Sequence, residues 1–383
     1  RITVDPLDDV FKPVRPVAPA RRKAMPQVSV IIPTYGHRDY VLQTLGSVFS
    51  QTFSDYEIIV INDGSPDDTA QLLAPLAAAG RIRYFEQPNA GQSNARNRGL
   101  REARGEFIAL LDDDDIWPAD KLSWQVQFMQ DNPGVGAVAG DRVWWDGVSQ
   151  PPPARPETGP RLLTAESLFS GNPIASPGQV LLRRKLVEEL GGFDPRIWGA
   201  DDFDLWFRIC RVSRYELYDR IALLYRAHAS NASRHLDRML ANTRRVMEWH
   251  VRQADQSKLP GLRRTANRWM YKYAGERLVE RLRGEIARGE VNAALRSLRT
   301  LAAFGPLGAT DPVLIRRIAS DLLPIRQIAQ EHLPTAVLRL LQVLKWQLAP
   351  SPARRAEGNG EALRHSPEPV RAPADAPKQL RSP

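Results

Sequence analysis

The chain has 383 residues, one cysteine and a formal net charge of +9. The length allows a large core and two or three domains. The single cysteine, Cys210, excludes an internal disulfide framework and fits a reducing compartment, and no apolar run is long enough to cross a membrane by itself. The positive charge predicts an anionic partner, which a nucleotide, a nucleic acid or an acidic membrane surface would satisfy.

The chain begins with an arm and continues as alternating strands and helices. Residues 1–26 contain five prolines and a basic cluster without apolar periodicity, which predicts a linker or arm. Short apolar runs predict buried strands, and the segments between them carry apolar residues at helical spacing. The predicted strands are 28–32, 56–61, 81–85 and 107–111.

A helix is predicted between the second and third strands. Ser65 is a good N-cap, Pro66 suits the first helical position, and Gly80 ends the helix. Pro75 lies inside this span and should kink or shorten it.

The alternation of strands and helices predicts a doubly wound, mostly parallel sheet flanked by helices. Right-handed crossovers place the carboxyl ends of all its strands at one edge. Thr34, Asp63 and the run Asp112–Asp115 each follow a predicted strand. We therefore expect them to share that edge, where ligands bind in open α/β sheets.

Four consecutive acids follow the fourth strand, in the sequence L-D-D-D-D-I-W. Such acids repel one another unless they share a cation, and Mg²⁺ or Mn²⁺ is the ion that oxygen ligands favour. The alternative is a solvated acidic turn at the start of a helix that has Pro118 in its first turn.

The chain carries, in this order, the motifs V-S-V-I-I-P-T-Y, I-V-I-N-D-G-S-P-D-D-T, N-A-G-Q-S-N-A-R-N-R-G, F-I-A-L-L-D-D-D-D-I-W-P, G-G-F-D-P, W-G-A-D-D-F-D-L-W-F-R and Y-R-A-H. In this order and spacing they resemble the family-two glycosyltransferases, which have the GT-A fold. The resemblance covers about residues 27–233. It implies a Rossmann-like domain at 27–235 that transfers a sugar from a nucleotide sugar.

The resemblance implies a donor site with four contacts. Thr34 and Tyr35 would border the nucleotide base, and Asp63 would hold the base or the ribose. Arg96 would face the diphosphate.

The acid run and a later histidine would supply the metal site. By the family pattern Asp112 is the ribose-side acid, Asp113 occupies the variable position and Asp114 is the main metal ligand. His228 stands where many relatives have a histidine near the metal or the pyrophosphate, although a lone histidine after a strand is as often a surface or core residue.

Asp202 takes the family's position for the catalytic base. Asp201 stands where the family often has a glutamate, so its acceptor contacts are open. Direct displacement with inversion requires a base on the opposite face of the sugar from the metal, hence on another segment. The alternative is that Asp201, Asp202 and Asp204 only complement the N-terminus of a helix.

Tryptophans and a proline-rich loop are further candidates. Trp144, Trp145 and Trp198 are able to stack on a sugar face, and core packing explains each of them equally well. Residues 150–160 form a loop that either closes over the donor or is solvated.

The C-terminal part differs in composition. Residues 236–349 have helical periodicity and predict a helical extension, and 350–383 predict a disordered tail. The segment 336–348 suits a membrane surface or packing on protein. Residues 265–269 resemble the Q-x-x-R-W element of processive synthases but lack its glutamine, which favours a single-transfer enzyme.

The resemblance, together with the acid run, implies a metal-dependent, inverting hexosyltransferase that uses Mn²⁺ or Mg²⁺. The expected donor is a UDP-sugar, and the expected acceptor is a glycan or a lipid-linked hydroxyl in surface polysaccharide or glycoconjugate synthesis. A cytoplasmic location, with contact to the inner face of the membrane, is expected, and no nucleic-acid partner is. The alternatives are a weakly catalytic carbohydrate-binding relative and a sugar-nucleotide pyrophosphorylase.

Overall fold

A computed structural model describes residues 25–146, 159–226, 228 and 236–302. The predictions for most of the N-terminal arm, for most of the proline-rich loop, for the segment 336–348 and for the tail lie outside these residues. Within them, no helix is both long enough and apolar enough to span a bilayer.

The described residues form one sheet of eight strands in the order β3-β2-β1-β4-β7-β5-β8-β6. Four of its seven neighbouring pairs are parallel, including all those among β1 to β4. The predicted mostly parallel sheet is confirmed. The strands are β1 Val28–Thr34, β2 Tyr56–Asn62, β3 Arg83–Glu86, β4 Phe107–Leu110, β5 Val135–Trp145, β6 Arg161–Leu163, β7 Val180–Arg183 and β8 Arg214–Arg226.

Helices connect the strands and then continue as the C-terminal extension. Seven lie before residue 213: α1 Arg38–Phe49, α2 Thr69–Ala78, α3 Gln92–Glu102, α4 Lys121–Asp131, α5 Ala165–Leu168, α6 Arg184–Glu189 and α7 Asp201–Val212. The extension comprises α8 Leu236–Arg252, α9 Leu259–Met270, α10 Glu276–Ala287 and α11 Val291–Ala302, with a π-helical turn at Tyr271–Gly275 between α9 and α10.

Strand direction brings four loops to one edge of the sheet. β2 and β4 run parallel to β1, so all three have their carboxyl ends on the same side. β7 is antiparallel to both β4 and β5, and β5 is parallel to β8. The end of β8 therefore lies at that same edge. The loops that contain His37, Asp63, the acid run and His228 all start there.

The core occupies both faces of the sheet, because side chains alternate along each strand. On β1, Val28, Val30 and Ile32 pack in one apolar cluster, while Ile31 packs in the other. The second cluster continues through α7 into the extension, where Leu278 and many other apolar residues are buried. The extension thus packs against the helix that begins at Asp201.

A buried polar contact joins the extension to α7. His250 on α8 lies with Nε2 2.9 Å from Asp204 Oδ1, and its ring stacks on Phe207 at 4.4 Å. Arg208 donates to the other oxygen of Asp204 at 2.8 Å. Asp204 is therefore engaged in structural contacts on the side of α7 that faces the extension.

One predicted helix start is wrong, and a second helix begins later than the alternative interpretation of the acid run placed it. α2 begins at Thr69 rather than after Ser65, because the Ser65 hydroxyl accepts a hydrogen bond from the Gly36 amide, and Asp67 instead accepts the Thr69 amide. α4 begins at Lys121, so Pro118 lies before its first turn.

Candidate active site

The acid run is not a solvated turn. Asp113, Asp114 and Asp115 are all buried, with exposed fractions of 6%, 9% and 1%. The Thr44 hydroxyl lies 2.9 Å from the carbonyl oxygens of both Asp113 and Asp115, which fixes the backbone of the run. The alternative of a solvated acidic turn is wrong, because these three acids are buried and the loop is hydrogen bonded to Thr44 of α1.

Three side chains that follow three different strands, those of His37, Asp114 and His228, come together at this edge. Nε2 of His228 lies 2.8 Å from Asp114 Oδ2, so the structure brings together the two predicted metal ligands. His37 joins them, and one donor atom from each of the three side chains lies within 4.8 Å of the other two. His37 was not among the predicted site residues. Its position in the loop after the first strand was the signal, since that loop shares the edge.

Asp113 binds the loop that carries His37. Its Oδ1 lies 2.8 Å from His37 Nδ1, and its Oδ2 accepts the Tyr35 amide at 3.2 Å. The hydrogen bond to Asp113 raises the pKa of His37 to about 9, against the opposing effect of burial. The variable position of the family pattern is thus a fixed contact in this chain.

The surroundings of the Asp114 carboxyl disfavour its ionised form. Burial, followed by the charges of Asp113 and Asp112, raises its pKa to about 7. A divalent cation would relieve this repulsion, and two imidazoles with one carboxylate are a donor set that such ions accept. The residues present therefore fit a divalent metal.

Arg96 lies between two acids rather than at an open surface. Its side chain is 3% exposed, with Nη2 2.7 Å from Asp112 Oδ1 and Nη1 3.0 Å from Asp201 Oδ2. Gln92 and Ser176 also donate to Asp112, at 3.1 and 3.3 Å. The contacts described for Arg96 are structural, and its contact with a diphosphate stays a prediction.

Asp201 and Asp202 differ in their surroundings although they are adjacent. Asp201 is buried and accepts hydrogen bonds from Ser93 and Arg96. Asp202 is partly exposed, and its Oδ1 accepts only the adjacent Phe203 amide among the hydrogen bonds described. The N-cap of α7 is Ala200, with no side-chain capping bond. Asp202 is therefore not the N-cap, but Asp201, Asp202 and Asp204 all lie in the first turn of α7, where their charges complement the helix N-terminus as the alternative proposed.

The environment of Asp202 suits a base. Burial and the neighbouring Asp201 charge raise its pKa to about 7, while Arg96 opposes the shift. A base is most effective when its pKa lies near the working pH. Asp202 lies on a different segment from Asp114, and the two segments are connected through Arg96.

The carboxylate of Asp63 already accepts three hydrogen bonds within the protein. Its carboxylate accepts hydrogen bonds from the Gln87 side chain at 2.7 Å and from the amides of Ala90 and Gly91 at 3.0 and 2.8 Å. Its own amide donates to the Thr34 carbonyl at 2.9 Å. Asp63 thus shapes the loop before α3, and any nucleotide contact would be additional.

The remaining predicted residues lie around this edge or in the extension contact. Thr34 is buried, whereas Tyr35 is 48% exposed and able to meet a ligand. Trp198 carries the guanidinium of Arg238 over its ring at 4.5 Å, so it packs against α8. Among the other predicted tryptophans, Trp144 is 58% exposed. The guanidinium of Arg226 lies 4.7 Å from the ring centroid of Trp145.

Comparisons with known proteins agree with this geometry. Residues 29–191 match Glycosyl transferase family 2. The chain is 32% identical over 215 residues to an uncharacterised glycosyltransferase of Nostoc sp., covering 54% of this chain and 66% of the relative. Its 42% identity to three uncharacterised Rickettsia glycosyltransferases covers only 15 to 18% of their length.

Two solved structures share the fold. TarS of S. aureus, crystallised in complex with UDP-GlcNAc, aligns with a TM-score of 0.57 at 17% identity, over 84% of this chain and 90% of that one. The mannosyltransferase PcManGT of Pyrobaculum calidifontis, in complex with GDP-Man and Mn²⁺, aligns with a TM-score of 0.51 at 22% identity, over 89% and 92%. Neither comparison favours a pyrophosphorylase or a non-catalytic carbohydrate-binding protein.

Proposed function

The chain belongs to glycosyltransferase family 2 and has the GT-A fold, and on this premise we propose that it transfers one sugar from a UDP-sugar to an acceptor hydroxyl with inversion. One observation carries the proposal. Three side chains whose donor atoms lie close enough to hold a metal ion meet at one sheet edge with a carboxyl whose pKa is raised to about 7, on segments that Arg96 connects.

The chemistry assigned to these residues is direct displacement. The acceptor oxygen forms a bond to the anomeric carbon while the bond from that carbon to the diphosphate breaks. Asp202 takes the proton of the attacking hydroxyl, and the leaving electrons remain on the nucleoside diphosphate. A divalent cation held by Asp114 and His228 would supply charge neutralisation at the leaving phosphate.

Asp112 and its partners would position the donor. The Asp112 carboxylate is held from three sides by Gln92, Arg96 and Ser176. It remains partly exposed, with 21% of its side chain accessible. A carboxylate fixed in this way is a suitable acceptor for ribose hydroxyls, and we assign it that role.

The UDP preference rests on the sequence resemblance and on TarS, whereas PcManGT was crystallised with GDP-Man. We assign the base contacts to Thr34, Tyr35 and Asp63, of which Tyr35 is the most exposed. Mn²⁺ is the metal present with PcManGT, and either Mn²⁺ or Mg²⁺ fits the proposal.

For the acceptor we propose a glycan or lipid-linked hydroxyl in surface polysaccharide or glycoconjugate synthesis. The support is membership of the family and the basic charge of +9, which suits an acidic membrane face. The same charge and the single cysteine support a cytoplasmic location at the inner face of the membrane.

A binding screen tests the proposal. The full chain is titrated with UDP-sugars and GDP-sugars, once with Mn²⁺ and once with EDTA. We expect at least one UDP-sugar to bind about tenfold more tightly with Mn²⁺ and GDP-sugars to bind less tightly. Binding that is equal with Mn²⁺ and with EDTA would contradict the metal role, and tighter binding of GDP-sugars would contradict the UDP assignment.

A further inference from the structure

We propose that His37 is a third protein ligand of the divalent cation and that Asp113 orients it. The site then has two histidines and one carboxylate, and it selects Mn²⁺ and similar transition ions over Mg²⁺. This inference rests on the proposed function for the presence of the cation. It adds a ligand, a positioning residue and a metal preference.

The first argument is the contact between Asp113 and His37. Histidines that bind metals usually donate their second ring nitrogen to a carboxylate, which fixes the tautomer and the ring orientation. Here Asp113 Oδ1 lies 2.8 Å from His37 Nδ1, and Asp113 itself is buried. With Nδ1 engaged, Nε2 is the nitrogen able to coordinate an ion. Asp113 is further fixed by the Tyr35 amide.

The second argument is the position of the rings. The rings of His37 and His228 lie edge to face, with centroids 5.4 Å apart. The ring centroid of Tyr40 lies 6.0 Å from that of His37 and 4.8 Å from that of His228. The two imidazoles are therefore packed against a common neighbour beside Asp114.

The third argument is the size of the gap. Nitrogen and oxygen ligands lie about 2.0–2.2 Å from a divalent transition ion, so ligands on opposite sides of the ion are about 4.3 Å apart. The donor atoms of His37, Asp114 and His228 lie within 4.8 Å of one another. The three atoms therefore lie near the separations that one shared ion requires.

The donor set determines the preference. Imidazole nitrogen favours transition ions, whereas Mg²⁺ prefers an all-oxygen shell and keeps its waters. A second histidine should thus strengthen the binding of Mn²⁺ more than that of Mg²⁺. A competing explanation is that His37 is only the positive partner of Asp113 and holds the loop, in which case its removal would not change the ratio of the two affinities.

The variant His37→Asn separates these explanations. The asparagine amide is able to replace Nδ1 as a donor to Asp113 but offers no ligand nitrogen. Asp39→Asn is the matched control, because Asp39 lies in the adjacent first turn of α1 with 79% of its side chain exposed. Thermal unfolding without metal confirms that both variants fold.

The test measures Mn²⁺ and Mg²⁺ binding to the full chain without nucleotide, by electron paramagnetic resonance of free Mn²⁺ and by Mg²⁺ competition. We expect His37→Asn to weaken Mn²⁺ binding 10- to 100-fold, with Mg²⁺ affinity within about threefold and Asp39→Asn unchanged. Asp113→Asn should weaken Mn²⁺ binding in the same direction. A Mn²⁺-to-Mg²⁺ affinity ratio in His37→Asn within about threefold of the parent overturns the inference.

A second measurement needs no variant. Electron spin echo envelope modulation of the parent with Mn²⁺ counts coordinated imidazole nitrogens, and we expect two. A count of one overturns the role of His37, even if the parent transfers sugar. Conversely, two nitrogens in a chain that binds no nucleotide sugar would contradict the proposed function and leave the metal site intact.

Discussion

Asp202→Asn is expected to stabilise the protein at alkaline pH while it removes activity. The fold raises the Asp202 pKa from an ordinary value of 3.8 to about 7. The folded state therefore holds a proton that the unfolded state releases between pH 4 and 7, so the contribution of Asp202 to stability falls as pH rises through that window. Above pH 7 the ionised carboxylate destabilises the fold.

The size of the effect follows from the shift. About three pKa units correspond to roughly 4 kcal/mol, at about 1.4 kcal/mol per unit, and hydration of this partly exposed carboxyl reduces the figure. Asparagine carries no charge and retains the acceptor for the Phe203 amide. We expect a gain of about 1–4 kcal/mol at pH 8 that vanishes near pH 4, together with a ~10²- to 10⁴-fold loss of turnover.

The assay is urea unfolding of the parent and the variant at pH 4.5 and pH 8, with turnover and donor affinity measured in parallel. Asp201→Asn is the control, because its change in the free energy of unfolding should have the opposite sign. It removes a charged partner of the buried Arg96 and should destabilise the fold. Equal stabilities of parent and Asp202→Asn at pH 8, or turnover within about threefold at unchanged donor affinity, would refute the assignment of Asp202 as a base with a raised pKa.

Three further changes test other parts of the site. Asp114→Ala should abolish turnover and remove the Mn²⁺ enhancement of nucleotide affinity, and a titration that keeps the enhancement would contradict its role as ligand. Asp63→Ala leaves two loop amides and a side-chain amide without their acceptor, so we expect a loss of about 1–3 kcal/mol in urea unfolding besides weaker UDP binding. Unchanged stability would show that the loop does not depend on Asp63. Arg96→Met leaves Asp112 and Asp201 without their shared cation and should cost about 3–5 kcal/mol, and Arg96→Lys should not restore it because lysine lacks the planar fork. Full recovery of stability in Arg96→Lys would contradict the bridging role.

The residues at the sheet edge were predictable because short sequence patterns specify the strands that precede them. Apolar runs such as Phe107–Leu110 specify buried strands, and the alternation with helices sets the direction of the first four strands. The proximity of Asp114 and His228 was also predictable, because the family resemblance places a histidine near the metal.

The contacts that organise the site were not predictable from local patterns. His37 meets Asp113, 76 residues away, and Arg96 meets Asp201, 105 residues away. Neither spacing leaves a periodic trace in the sequence. The start of α2 was missed for a similar reason, because Ser65 is engaged by the Gly36 amide across the edge of the sheet.

The most direct test of the account is the pH dependence of UDP release by the full chain, using the UDP-sugar that the binding screen selects. With Mn²⁺ we expect kcat to rise with pH and level off above about 7, as Asp202 loses its proton, and EDTA should abolish the release. Release of UDP that is unaffected by EDTA, or a rate that is flat between pH 5.5 and 8.5, would contradict a metal site and a base acting together at this edge.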